Sequence, residues 1–161
     1  MTAVKKELPI IIIDTREQKP YKYRVGKSVG GVVHETLKPG DYSLKGYEHL
    51  IIIERKAKMD ELARDLGKNR ARFIRKLELM QSSRRRYLVI EDHWTSIFNP
   101  NRHSQMHPNA VFESIIALSI KYGVSVIFAG SRKQGHKIVR SLLLKAFKYR
   151  EELDGSSSSN S

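Results

Sequence analysis

Two carboxylates and an ammonium stand close together in the stretch 40–60, GDYSLKGYEHLIIIERKAKMD. Asp41 follows a glycine, while Glu54 and Lys56 close the apolar run 50–53. Side chains alternate along a strand, so Glu54 and Lys56 project to one side and Arg55 to the other. Asp41 reaches the Glu54 side if the segment before the run pairs with it as a hairpin, which makes an acidic pocket with one adjacent ammonium. Carboxylates from neighbouring strands are the hard oxygen donors that Mg2+ or Mn2+ takes, leaving other positions to water and phosphate oxygens. A metal there would lower the pKa of a bound water, and Lys56 would orient that water or stabilise developing charge. This is the chemistry of phosphodiester hydrolysis. An acid-x-Lys at a strand end is also common on solvated surfaces, so the surroundings decide.

The elements that must hold these residues can be read in order. Pro9 opens four consecutive isoleucines, Ile10, Ile11, Ile12 and Ile13, a β-branched run suited to a central strand covered on both faces; Asp14-Thr15-Arg16-Glu17 ends it. Gly30-Gly31 makes a turn, Val32, Val33, Glu35 and Leu37 form a second strand, and Pro39-Gly40 stops it, so Asp41 sits directly after a turn. After Lys56 the period becomes helical, with Asp60 in the first turn, where a carboxylate suits the helix dipole. Gly67 interrupts, and a second helix over 69–81 carries Phe73, Leu77 and Met80 on one face. Residues 87–91 form another strand, 109–122 a helix burying Phe112, Ile115, Ile116 and Ile120, and 124–128 the last strand. A long final helix after Gly130-Ser131 puts Val139, Leu142, Leu143, Ala146 and Phe147 on a face that covers either the sheet or a partner. The expected architecture is an α/β domain with a mixed central sheet flanked by helices.

With 161 residues the chain is expected to be one domain over 9–153, preceded by a short lead, 1–8, and followed by a disordered Ser-rich tail, 154–161. Thirty Lys and Arg against seventeen Asp and Glu leave a net charge of +13, which favours a polyanionic partner. The charge is clustered: residues 64–86 hold nine basic side chains and two acidic ones. Arg72 and Lys76 are four apart on one helical face, with Lys68, Arg70 and Arg75 around them, which makes either a ridge for a phosphate backbone or a solvated face. In 18–29, Lys19, Lys22, Arg24 and Lys27 alternate with Tyr21 and Tyr23, which either stack on a bound strand or pack under their loop.

The absence of cysteine excludes disulfides, thiolate metal sites and a Cys nucleophile. No apolar run spans a bilayer and no signal-type segment opens the chain, so a soluble, intracellular protein is expected. No P-loop is present, hence no nucleotide cofactor is expected. His103 and His107 lie in a proline-marked loop and read as surface residues. Glu91 reads as a turn residue at a strand end, within possible reach of the metal, and Trp94 as packing.

Gly40-Asp41, twelve residues, Glu54-Arg55-Lys56, three residues and Asp60 spell GDX(n)ERKX(3)D, which resembles the motif of XPF-type structure-specific nucleases, the XPF/Hef family. That family is a branch of the restriction-endonuclease-like PD-(D/E)XK fold, and its earlier strand ends in Asp-x-Arg-Glu, here Asp14 to Glu17. The resemblance covers roughly 9–150 and implies a three-layer domain acting as a Mg2+- or Mn2+-dependent DNA endonuclease in repair or recombination. It implies Asp14, Asp41 and Glu54 as ligands, Lys56 at the attacking water and Arg16 on phosphate. Glu17, Arg55 and Asp60 support, with Asp60 holding Arg55 or Lys56. It also implies branched or flap DNA as substrate and a dimer through the C-terminal helical region. The helix-hairpin-helix module that usually follows has no room, so less selective nicking is an alternative outcome. The alternative function is an inactive DNA-binding scaffold for a partner nuclease. A basic RNA-binding or structural protein would leave the clustered acids unexplained.

Overall fold

The computed structural model describes residues 2–99 and 105–155. Six strands form one sheet: β1 (Ile10–Asp14), β2 (Gly31–Glu35), β3 (Tyr42–Leu44), β4 (Ile51–Lys56), β5 (Arg85–Ile90) and β6 (Ser125–Phe128), in the spatial order β2-β1-β3-β4-β5-β6. β1 runs parallel to β2 and antiparallel to β3, β3 runs antiparallel to β4, and β4, β5 and β6 are parallel. β3 is therefore the one strand that runs against the others. Its beginning lies at the edge where β1, β4 and β5 end, which brings Asp41 to the ends of β1 and β4.

The strand period of two divides the core into two layers. Ile12, Ile52, Leu88 and Ile90 face α1 (Met59–Leu66), α2 (Arg70–Leu79) and α3 (Pro108–Tyr122). Ile11, Ile13, Ile51, Ile53 and Val89 face α4 (Arg132–Lys148), which a short α5 (Arg150–Leu153) follows. α1 shows how the layers are held. Met59, Leu62, Ala63 and Leu66 recur at helical spacing and are buried, and truncating a fully buried leucine such as Leu62 to alanine costs about 2–5 kcal/mol. The apolar face of α4, Val139, Leu143, Ala146 and Phe147, covers the sheet. Of the two readings of that face, the sheet is the one realised.

Two expectations shift. α3 buries Val111, Ile115, Leu118 and Tyr122, whereas Ile116 is 44 % and Ile120 77 % exposed and Phe112 packs only at the core margin. α3 carries apolar residues on two adjoining stripes, and packing against α1 and Val124 chooses between them. His107 caps this helix, its Nδ1 accepting from the Asn109 N–H (3.2 Å), while His103 lies outside the described residues. Asp154, expected in the tail, is anchored: its Oδ1 is 2.8 Å from His49 Nε2 and its carbonyl accepts from Arg84. The tail from 156 on lies outside the described residues.

Gly40 sits at φ +92, where side chains are disfavoured, and a Cβ there would lie 2.5 Å from Ile52 Cγ1. Gly40→Ala is expected to lower the unfolding free energy by about 1–3 kcal/mol for the backbone alone, measured by urea denaturation. An unchanged midpoint would contradict this geometry.

Candidate active site

The sheet edge gathers the acids through the backbone. Asp41 N–H donates to Ile53 C=O and Asp14 N–H to Asp41 C=O, each at 2.8 Å, and Arg55 N–H donates to Asp41 Oδ2 at 2.8 Å. Residues 54–56 are all buried, although all three are charged. As alternation requires, Glu54 and Lys56 share the α1–α2 side of the sheet. Glu54 Oε1 accepts from Lys76 Nζ at 2.6 Å and lies 3.4 Å from Lys56 Nζ. Glu54 Oε2 is the only buried side-chain polar atom among the described residues that lacks a hydrogen-bond partner. Lys56 Nζ sits 2.5 Å from Asp65 Oδ2 and 3.7 Å from Glu61 Oε1. Asp41, Glu54, Lys56, Glu61 and Lys76 line a polar cleft of about 470 Å3 that also reaches Arg16, Glu17 and Lys19.

The electrostatics of the two acids differ from those of their neighbours. Burial, and then the negative charge of Glu54, push the Asp41 carboxyl up to about 8, against the opposing pull of the Arg55 N–H. Burial pushes Lys56 down, but Glu54, Asp65 and Glu61 outweigh it and raise the ammonium above its ordinary value. Lys56 is thus a fixed positive charge rather than a base. Burial raises Asp14, yet Arg16 and the Leu37 N–H hold it below the ordinary carboxylate range. Asp14 accepts from the Arg16 N–H and Nε on Oδ2, and from Arg16 Nη2 and the Leu37 N–H on Oδ1. Direct ligation of a metal by Asp14 would require it to release some of these bonds.

On the α4 side, Arg55 is the centre of a second network. Its Nε and Nη2 donate to the two oxygens of Glu17 (3.0 and 2.8 Å), and its Nη1 donates to Glu91 Oε1 (2.6 Å). Tyr21 Oη donates to Glu91 Oε2 (3.0 Å), and the guanidinium lies 5.5 Å from the Tyr21 ring centroid. Glu17 lines the cleft but is the bidentate partner of Arg55 rather than a loose acid. Glu91, read as a turn residue, is a buried ion-pair partner. Tyr21 packs beneath its loop and Tyr23 stacks on His136, with centroids 4.6 Å apart, so the packing reading of both tyrosines is the one observed. Trp94, expected to pack, is 53 % exposed.

Besides Glu54, Lys56 meets the carboxylates of Asp65 and Glu61, four apart on α1. That i, i+4 spacing beside the ERK strand was the signal available in the sequence. Of the basic ridge, Lys76 is drawn into the site by Glu54, and Arg70 is tied to Leu66 C=O and Ser114 Oγ. Arg72 and Arg75 line an adjoining cleft of about 410 Å3 that includes Asp14, Asp41 and Glu54. Lys68 is exposed in the turn between α1 and α2.

Asp41 and Glu54 fit a hard divalent cation. They are an all-oxygen pair that includes an orphaned buried oxygen, and their mutual repulsion is what a cation would relieve. Among the described residues no three acids or histidines converge on one point, so other coordination positions would fall to water and substrate.

Residues 13–142 match the ERCC4 domain. The chain belongs to the ERCC4 domain family. Its fold is similar to that of XPF from Aeropyrum pernix, at 20% identity and a TM-score of 0.64, over 86% of this chain and 61% of that one. XPF from Aeropyrum pernix in complex with DNA gives 19% identity and a TM-score of 0.63, over 87% and 66%. This ERCC4 domain therefore spans less than two thirds of either relative and shares the XPF nuclease-domain fold. No curated protein sequence matches the chain.

Two outcomes are expected. Folded Asp41 keeps a proton that the unfolded chain loses near pH 4, so its stabilising contribution is complete below about pH 4 and disappears as pH rises through about 8. Metal-free protein should lose melting temperature across that range. Mn2+ should restore it at the upper end, and both effects should shrink in Asp41→Asn; thermal scans in EDTA and in Mn2+ measure this. Arg55→Met strands two buried carboxylates and is expected to cost about 3–5 kcal/mol in urea unfolding.

Proposed function

We propose that this ERCC4 domain is a divalent-metal-dependent DNA endonuclease that hydrolyses phosphodiester bonds in branched, flap or fork DNA near junctions. The observation that carries the reading is the buried, unpartnered Glu54 Oε2 beside Asp41, in a cleft whose rim is basic. Family membership points to a nuclease, and one structural relative is in complex with DNA.

Mg2+ or Mn2+ bound by Asp41 and Glu54 would neutralise phosphate charge and lower the pKa of the attacking water. The chain's own residues do the rest. Lys56, kept protonated by Glu54, Asp65 and Glu61, directs N–H donors at the attacking water or at the oxygen where charge develops. Arg16, with its guanidinium oriented by Asp14 and 64% exposed, grips a phosphate near the scissile bond, and Arg72 and Arg75 grip others. Arg55, with Glu17 and Glu91, fixes the peptide that donates to Asp41, so these three position the pair without touching substrate. Asp60 supports the start of α1, the helix that carries Glu61 and Asp65. A second copy would find Ile116 and Ile120 of α3 exposed, whereas the apolar face of α4 is already covered.

The test is cleavage of labelled duplex, single strand, 3′ flap, fork and four-way junction in Mg2+, Mn2+ or EDTA. Metal-dependent cuts near junctions are expected, reduced at least about 10²–10³-fold by Asp41→Ala, Glu54→Ala or Lys56→Met. Binding without cleavage in either metal would overturn the proposal in favour of the inactive scaffold.

A further inference from the structure

α4 carries six basic side chains, Arg132, Lys133, Lys137, Arg140, Lys145 and Lys148, and no acidic one. At about 100° per residue, Lys133, Lys137, Arg140 and Lys148 fall within an arc of about 80° that begins at the margin of the buried face, where Arg140 is half-buried, and runs to the exposed side, where the three lysines lie. None of these four has an acidic partner among the described residues. α2, in contrast, gives Lys76 to Glu54. A row of unpaired like charges repels itself, and a polyanion relieves that repulsion.

The row is continuous with the active site. At its N-terminal end a groove of about 570 Å3 opens between Pro20 and Lys22 of the loop after β1 and Lys133 and Lys137 of α4. Arg132 Nη2 closes the floor, donating to the carbonyls of Lys19 (3.0 Å) and Pro20 (3.2 Å), and Lys19 also lines the catalytic cleft. The helix is seated closely here. A Cβ on Gly135 would lie 2.5 Å from Tyr21 Oη and 3.1 Å from Glu91 Cγ, so α4 packs directly on the network that holds Arg55. The distance from scissile position to basic row is therefore fixed by packing. From Lys133 to Lys148 the row extends about 22 Å along the helix, the rise of about six to seven base pairs.

α2 and α4 lie on opposite layers of the sheet, with the catalytic edge between them. We infer that α4 is a second phosphate-backbone track, which takes one arm of a branched DNA while Arg72 and Arg75 of α2 take the other, so that the branch point lies at Asp41 and Glu54. This rests on the nuclease reading and supplies a way for a domain of this size to read a junction. A linear duplex engages one track and a fork engages both.

The experiment measures fluorescence anisotropy of a fork and of a linear duplex of one arm's length across a salt series in EDTA. It compares wild type with Lys133→Gln/Lys137→Gln/Arg140→Gln and with Arg72→Gln/Arg75→Gln. These side chains contribute nothing to the core, so melting temperatures should match. The α4 variant is expected to weaken fork binding at least about tenfold and to flatten its log–log salt slope by about 2–3, while duplex binding changes less than about twofold. Both variants should lower fork cleavage. Unchanged fork binding by the α4 variant, or an equal loss on fork and duplex, overturns the inference while leaving the nuclease reading in place. Wild type that neither binds nor cuts DNA overturns both.

Discussion

Three successive charged residues, Glu54, Arg55 and Lys56, are buried at the end of an interior strand, and the rest of the structure is arranged around what that requires. A charge removed from water is costly unless paired. The strand sends Glu54 and Lys56 into one layer and Arg55 into the other, so each layer must supply opposite charges. α1 delivers Glu61 and Asp65 to Lys56, α2 delivers Lys76 to Glu54, and the loop after β1 and the end of β5 deliver Glu17 and Glu91 to Arg55.

The two layers are satisfied to different degrees, and that difference separates structure from chemistry. Around Arg55 both carboxylates are matched by guanidinium donors and by Tyr21, with no orphaned atom. Around Glu54 one oxygen remains without a partner and Asp41 is pushed towards its neutral form. The complete network holds a peptide N–H against Asp41, and the incomplete one leaves Glu54 Oε2 without a partner, the oxygen on which the proposed cation site rests. A fully paired layer thus gives rigidity to a layer whose pairing is incomplete.

Much of the fold was legible because its signals are local. The isoleucine run before Asp14, the turn at Pro39-Gly40 and the switch from period two to helical period after Lys56 each mark an element that the structure contains. The site was legible where one strand sets it: the opposite directions of Arg55 and of Glu54 with Lys56 follow from alternation alone. α3 was misread because Ile116 and Ile120 extend its apolar character onto a second stripe, and periodicity does not rank two apolar stripes. Glu91 was missed as a partner because nothing near it in the chain shows what lies opposite it across the sheet, whereas Asp65 and Glu61 offered only their i, i+4 spacing on the helix after the strand.

By itself, the sequence determined the residue types of the site, the faces on which Glu54, Arg55 and Lys56 lie, and the basic charge that seeks a polyanion, since these depend on composition and on backbone periods. Tertiary structure alone decided that β3 runs against its neighbours, so that Asp41 meets Glu54, and that Lys76 belongs to the site while α4 keeps an unpaired basic face. Those outcomes depend on which strands and helices become neighbours, and pairing across the sheet joins residues that no local pattern connects.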